Sequence, residues 1–390
     1  MVHSTDARQA RTEWWLFTEA VGVVLTWLAL AFLAIVKTTP NGKSIRARWE
    51  FYLSSAFLAF PITCRFLFNI DSSLLNYLII FALLLAFAEW KNKKQKIWFP
   101  RRACDLDQLP RRILEFNGSG LDDPAVKDFV YRTRRNQIGS IALTHKHGQT
   151  IPRIQYNKEE VKTWGVVYRA LRQLHARHAC KEYNEGFALL EAHCNFSEHT
   201  IPQLEDISNY LEKCTDFRLR PIGGQLSSRD FLAGLAFRTF HATQYIRHGA
   251  NPFFSVEVDA CHDLLGHMPL LTNKKFADFS HEIGLASLGA SEETIKKLDK
   301  CYWYTAEFGL SKEEGRLKAY GAGLLGCVKE LQFAMESNEA ERQAYDPSKA
   351  TVYTHPDYGF QGLYLFSESI QEAMDKTREF LQQLLVDPVQ

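Results

Sequence analysis

The stretch Asp259-Ala-Cys-His-Asp-Leu-Leu-Gly-His267, with Glu307 downstream in Tyr302-Trp-Tyr-Thr-Ala-Glu307-Phe-Gly, constrains this chain more than any other feature. Two imidazoles and one carboxylate form the ligand set of a mononuclear non-haem Fe(II) centre, which covers one face of the ion and leaves the rest open. Any fold that uses the set must bring two separate segments to one point. The spacing of His262 and His267 is i, i+5, whereas a zinc-protease pair is i, i+4 on one helix face. On an ideal α-helix the second ring is rotated well off the first. Gly266 and Pro269 predict that the helix loosens there, letting His267 swing back. Taken as spacing alone, the pair also fits two satisfied or surface imidazoles.

The chain of 390 residues has room for one large domain and an extra module. A net charge of +1 gives no global field for nucleic acid or an acidic partner. Eight scattered cysteines without a Cys-x-x-Cys pair fit reduced thiols of a cytosolic compartment. Residues 1–96 differ in character. Ala20–Val36, Phe51–Phe68 (broken by Arg65) and Leu74–Phe87 are apolar runs, flanked by Lys37, Lys43, Arg46 and Arg48 and by Lys91, Lys93, Lys94 and Lys96. Three spans would leave both basic clusters and everything after residue 96 in the cytosol. The rival reading is translated non-coding sequence ahead of the true start of the protein.

Residues 97–390 read as mainly α with short β-strands. Ser227 or Ser228 is expected to cap a helix running from Arg229 toward Arg247 and ending at Gly249, with Phe231, Leu235, Phe237 and Phe240 at roughly helical spacing. Ser291 should cap the next, with Glu292 and Glu293 in its first turn and Ile295, Leu298 and Tyr302 as its buried stripe. Trp303 and Glu307 would share a face. Ser369 and Glu372 form a capping box for a last amphipathic helix reaching Leu385. The tract Gly139–Tyr156 reads as strand and turn.

From Trp98 to Leu385 the chain resembles the tetrahydrobiopterin-dependent aromatic amino acid hydroxylases, most closely the tyrosine hydroxylases. The runs that carry the likeness are Trp98-Phe-Pro-Arg101, His178-Ala-Cys-Lys-Glu-Tyr183, Ile201-Pro-Gln-Leu-Glu-Asp-Ile207, Leu226-Ser-Ser-Arg-Asp-Phe231 and Gln244-Tyr-Ile-Arg-His-Gly249. The metal motif, Ile283-Gly-Leu-Ala-Ser-Leu-Gly289 and Lys318-Ala-Tyr-Gly-Ala-Gly-Leu-Leu325 continue it. The resemblance implies iron ligation by His262, His267 and Glu307, and tetrahydrobiopterin binding at Leu226, Ser228, Phe231, Asp263 and Tyr302. It implies amino-acid binding by Arg247, Asp259, Ser255, Trp303, Phe308, Asp357 and His241. Fe(II), tetrahydrobiopterin and O₂ would together hydroxylate the ring of a free amino acid, and no side chain outside the iron site is required as a catalyst.

Asp357, in Tyr353-Thr-His-Pro-Asp357-Tyr-Gly-Phe-Gln361, matches an aspartate that marks tyrosine hydroxylases, as do Ser255 and Phe187-Ala-Leu-Leu-Glu191. The implied product is DOPA, on the route to dopamine and the other catecholamine neurotransmitters. His241 and Gly249 match phenylalanine hydroxylases, so phenylalanine, and tryptophan as well, stay open. Departures from the family are Asp263 for a glutamate, Gly326 for a serine that supports a ligand histidine, Val256 and Val258 for prolines, and Asp299 for a small residue. The expected C-terminal hairpin and tetramerising helix do not follow within the sequence, so a tetramer is not implied. A zinc hydrolase would reuse the three ligands, with Asp263 as a short base. A membrane-tethered, catalytically silent binding protein would accommodate the departures.

Overall fold

The computed structural model describes residues 98–109, 124–224, 226–255, 257–354 and 359–386. The chain divides into two units, Met1–Lys96 and Ile97–Gln390. The apolar runs before residue 97, and Val256 and Asp357, lie outside the described residues. Among the described residues no helix is long and apolar enough to cross a membrane.

Helices dominate, and their starts follow from the sequence. We number them α1 (Phe129–Thr144), α2 (Lys158–His178), α3 (Lys181–His193), α4 (Leu204–Thr215), α5 (Ser228–Leu235), α6 (Lys274–Ser287), α7 (Glu292–Tyr302), α8 (Ala322–Leu325), α9 (Val328–Glu336) and α10 (Ile370–Val386), leaving three single turns unlabelled. Asn157 caps α2 in a reciprocal box with Glu160, and Trp164, Val167, Leu171 and Leu174 recur at helical spacing along its buried face. Ser291 caps α7 as expected, with Ile295, Leu298 and Tyr302 all buried. Ser369 Oγ accepts the Glu372 amide at the start of α10, while Glu372 reaches back to the Glu368 amide.

Two short sheets complete the fold. Strands β1 (Arg218–Pro221) and β2 (Thr239–Ala242) pair in parallel. The second sheet runs β4 (Arg316–Ala319), β3 (Leu310–Glu313), β6 (Leu363–Ser367), β5 (Glu341–Ala344), with only the β3–β4 pair antiparallel. One apolar core unites α2 to α10 with both sheets, while Ile138 of α1 packs in a second small cluster with Ile154 and Tyr245.

Two expectations need correction. The helix from Ser228 ends at Leu235, not near Arg247. Arg238 turns the chain with a φ of 48°, its carbonyl accepts the Arg218 amide, and its guanidinium bonds the Thr215 carbonyl and Asp278. Pairing with β1 then draws Thr239–Ala242 into an extended strand, which local spacing could not foresee. Likewise Gly139–Thr144 is the last part of α1, and residues 145–157 form turns and irregular chain without a strand. Helix α1 continues through Gly139 because that residue lies against the Gly223 backbone, where a side chain would be cramped.

Candidate metal centre

His262 and His267 sit in a π-helical segment, π1 (Cys261–His267), and Glu307 ends a second, π2 (Trp303–Glu307). A π turn joins residues five apart, so an i, i+5 pair stacks one turn above the other. This resolves the spacing problem: the helix widens, and both rings face the same way. In π2 the Phe308 amide reaches the Trp303 carbonyl at 2.8 Å, a five-residue bond. Helix α8 lies beside both segments. A Cβ on Gly266 would stand 2.5 Å from the Ala322 carbonyl oxygen, and one on Gly326 would stand 2.8 Å from His262 Cα. Glycine at both positions permits this approach. Position 326 therefore does face the first ligand, as the resemblance implies, but through backbone contact.

The three candidate donors converge. The Nε2 atoms of His262 and His267 are 3.1 Å apart, and the Glu307 oxygens lie 3.5 Å from His262 and 3.2 Å from His267. Donors about 2.1 Å from a shared ion lie roughly 3.0 Å apart at right angles and roughly 3.4 Å apart at the tetrahedral angle. The triangle fits such an ion. Burial holds His262 neutral, pushing its pKa down to about 4. Burial opposes the charge on Glu307, but His267 and His262 outweigh it and keep the carboxylate below its usual range. A neutral His262 ring and an ionised Glu307 carboxylate are the forms in which these groups bind a metal.

The backbones of π1 and of the adjoining α8 are tied from behind. The wholly buried Tyr183 donates its hydroxyl to the Leu265 carbonyl at 2.5 Å, and His175 donates Nε2–H to the Leu325 carbonyl at 2.8 Å. Burial pushes His175 down to about 3, so its ring is neutral. Tyr183→Phe would strand a buried carbonyl, at about 1–3 kcal/mol. We expect Fe(II) affinity to fall about tenfold, read by competition with a chelator; lost stability with unchanged affinity would confine Tyr183 to the fold.

The residues expected around the iron fall into distinct groups. Phe231 meets Tyr302 and Phe240 edge-on at 5.3 and 5.6 Å between centroids, while Tyr302 and Phe240 both contact the His267 ring. Phe231 and Tyr302 thus stand beside a ligand. Ser228 opens α5, and the cap itself is Ser227. Leu226 lines a small cavity with Gly223, Gly224 and His241. His241 follows Phe240 in β2 and so faces the other side of the strand. The structure groups it with Leu226 rather than with Arg247. Asp263 is buried, its Oδ2 accepting the Thr243 amide at 2.7 Å and the Thr243 hydroxyl at 2.6 Å. Burial outweighs these bonds and raises its pKa to about 7.

Arg247 and Asp259 form a buried fork, with Nε to Oδ2 at 3.0 Å and Nη2 to Oδ1 at 2.6 Å. Asp259 also accepts the amides of Arg247 and of the candidate ligand His262. Burial works against both charges, but each holds the other ionised: Asp259 stays below its usual range and Arg247 above. Ser255 turns into its own loop, donating to the Glu257 carbonyl. Trp303 packs on Phe308 at 4.8 Å, and its indole N–H reaches Gln361 Oε1 at 3.2 Å. Sequence reading missed Tyr183, His175, Gln361 and Glu330. The one available signal was a polar residue on an otherwise apolar helical face, at His175 beside Leu171 and Leu174 and at Glu330 beside Leu331.

Comparison with known proteins adds an independent line. The family model of the biopterin-dependent aromatic amino acid hydroxylases matches residues 97–388. Phenylalanine-4-hydroxylase of Homo sapiens is 50% identical over 291 residues, covering 74% of this chain and 64% of that protein. Tyrosine 3-monooxygenase of Rattus norvegicus is 51% identical over 284 residues, 73% of this chain and 57% of that protein. The chain thus spans less than two thirds of these relatives' length. Phenylalanine hydroxylase of Chromobacterium violaceum, solved with iron(III) and 7,8-dihydrobiopterin, superposes with a TM-score of 0.57 at 28% identity, covering 66% of this chain and 92% of that one.

Proposed function

The chain belongs to the biopterin-dependent aromatic amino acid hydroxylase family, and from that premise we propose that it is an Fe(II)- and tetrahydrobiopterin-dependent monooxygenase acting on a free aromatic amino acid. The observation that carries this reading is the triangle of His262, His267 and Glu307, set on two π-helical segments with aromatic rings beside it. When bound, iron and pterin would supply the activated oxygen atom that the side chains cannot. The chain's own groups hold and shield. Phe231 and Tyr302 offer ring faces and edges to a flat pterin, with Leu226 and Ser228 at its border. Arg247, oriented by Asp259, presents a planar fork suited to an α-carboxylate. Trp303 and Phe308 form an apolar wall that keeps water from the ring.

For the substrate, tyrosine is our reading, resting on Asp357, Ser255 and Phe187-Ala-Leu-Leu-Glu191. Phenylalanine is the second reading, favoured by His241 and Gly249 and kept open by 50% identity to a phenylalanine-4-hydroxylase against 51% to a tyrosine 3-monooxygenase. A zinc hydrolase is disfavoured because the one acid beside the first ligand, Asp263, is engaged by Thr243.

Product analysis decides among these. The full chain with Fe(II), tetrahydrobiopterin, O₂ and equimolar tyrosine, phenylalanine and tryptophan should give mainly DOPA. Asp357→Val should then cut the preference for tyrosine over phenylalanine about tenfold or more. Mainly tyrosine or 5-hydroxytryptophan as product would keep the family and overturn the substrate. Bound iron and pterin without any product would support the silent binding protein, and zinc in place of iron would support a hydrolase.

A further inference from the structure

Outside the ligand triangle and the Arg247–Asp259 pair, one buried polar chain ends on the pocket wall. Glu330, on α9, is only 4% exposed. Its Oε1 accepts two neutral donors, the Gln361 amide at 2.7 Å and the Tyr364 hydroxyl at 2.8 Å. Burial pushes the carboxyl up to about 7, since neither donor brings a charge. Such a group is costly in an apolar setting unless its bonds fix something. Gln361 and Tyr364 bracket the point where the chain enters β6, so one oxygen sets the register of that entry.

Gln361 passes the constraint on. Its side chain, also 4% exposed, turns Oε1 to the Trp303 indole N–H at 3.2 Å. Its neighbour Phe360 lies against Phe333 at 5.1 Å and Phe254 at 5.7 Å between centroids. Phe254 adjoins Ser255 in the loop that leads to Asp259. Among the described residues, Phe308 packs on the ring of the indole and Gln361 accepts its N–H. Trp303 opens the π2 segment that Glu307 ends, and Phe308 follows it, so the indole is anchored on the same short segment as a candidate metal donor.

We propose that Glu330 and Gln361 are positioning residues that fix the Trp303 indole and thereby set which aromatic ring the pocket accepts. The proposal rests on the functional reading above for the identity of the pocket, but the geometry of the indole is testable without it.

The test uses the full chain labelled with ¹⁵N in its tryptophan indoles, with the Trp303 signal assigned by its loss in Trp303→Phe. In Gln361→Met, which keeps length but removes the acceptor, the Trp303 N–H should exchange with solvent about tenfold faster or more. The dissociation constant for the amino acid, read by calorimetry on the Fe(II)-loaded chain, should rise about tenfold with Fe(II) affinity unchanged. Glu330→Gln retains an acceptor oxygen for both donors and should keep wild-type values, while Glu330→Leu should follow Gln361→Met. Should Gln361→Met lose its fold, Gln361→Asn withdraws the acceptor by one methylene and gives the same reading. Unchanged indole exchange in the Gln361 variants overturns the positioning role. Faster exchange with unchanged amino-acid affinity and preference overturns its link to specificity. A wild-type chain that holds iron and binds no aromatic amino acid overturns that link too, through the functional reading, and leaves the exchange result to stand or fall separately.

Discussion

Replacing Glu307 with alanine should leave the protein folded and unable to hold iron. Two imidazoles remain, and a ferrous ion bound by them alone loses the only negative donor of the triangle. Losing a hydrogen bond behind a metal ligand already costs about 10–100-fold in affinity or activity, so losing the ligand itself should cost roughly a thousandfold or more. The readout need not be turnover. An ion that binds only the folded state stabilises it by about 2.7 kcal/mol at a hundred times its dissociation constant. For a chain of this size that is a rise of roughly 3–5 °C in Tm. The unaltered protein should show that rise with Fe(II), and Glu307→Ala should show none. Stoichiometric iron in Glu307→Ala, measured by elemental analysis, would remove the triangle as the metal site.

The candidate donors were legible in the sequence because a metal restricts residue type more tightly than it restricts backbone. His262, His267 and Glu307 could be named as donors before any fold was known. Their convergence could not be derived from spacing, because i, i+5 fails on an α-helix and succeeds on a π-helix. The widening of π1 is fixed by distant partners: Gly266 against Ala322, and the Leu265 carbonyl on the Tyr183 hydroxyl. None of these contacts leaves a local signature. Gly266 and Pro269 signalled a disturbance of the helix but not its kind.

The misread helix after Ser228 has a related cause. Phe231, Leu235, Phe237 and Phe240 are apolar at near-helical intervals, yet a run this short also fits a turn followed by a buried strand. What decides is the parallel pairing of Thr239–Ala242 with Arg218–Pro221. Helices with strong local signals, such as α7 behind Ser291, came out where the residues placed them. The polar chain from Glu330 to Trp303 was invisible for the opposite reason: its members are ordinary residues whose meaning lies in one another's position.

The Arg247–Asp259 pair should produce the largest loss of stability of any single substitution near the site. Both side chains are buried, at 3% and 1% exposure. Arg247→Met strands a carboxylate that also holds the His262 amide, and breaking such a pair costs about 3–5 kcal/mol. In a chain of this size the Tm should fall by roughly 4–8 °C. The sign with pH follows from Asp259. Its folded pKa lies below the unfolded value, so the pair's contribution is complete above the ordinary carboxylate range and is lost as pH falls through the lower folded value. Wild type and Arg247→Met should therefore converge in acid and diverge at neutral pH. Stability and substrate recognition can then be separated. In Arg247→Met/Asp259→Leu no charge is left unpaired, and replacing a buried pair by apolar residues is often neutral or better. The double variant should regain most of the lost Tm. It should not regain affinity for the amino acid, because the fork that receives the carboxylate is gone, and the dissociation constant should stay about a hundredfold above wild type. Recovery of both quantities together would make the pair a structural brace, and the carboxylate of the substrate would need another partner.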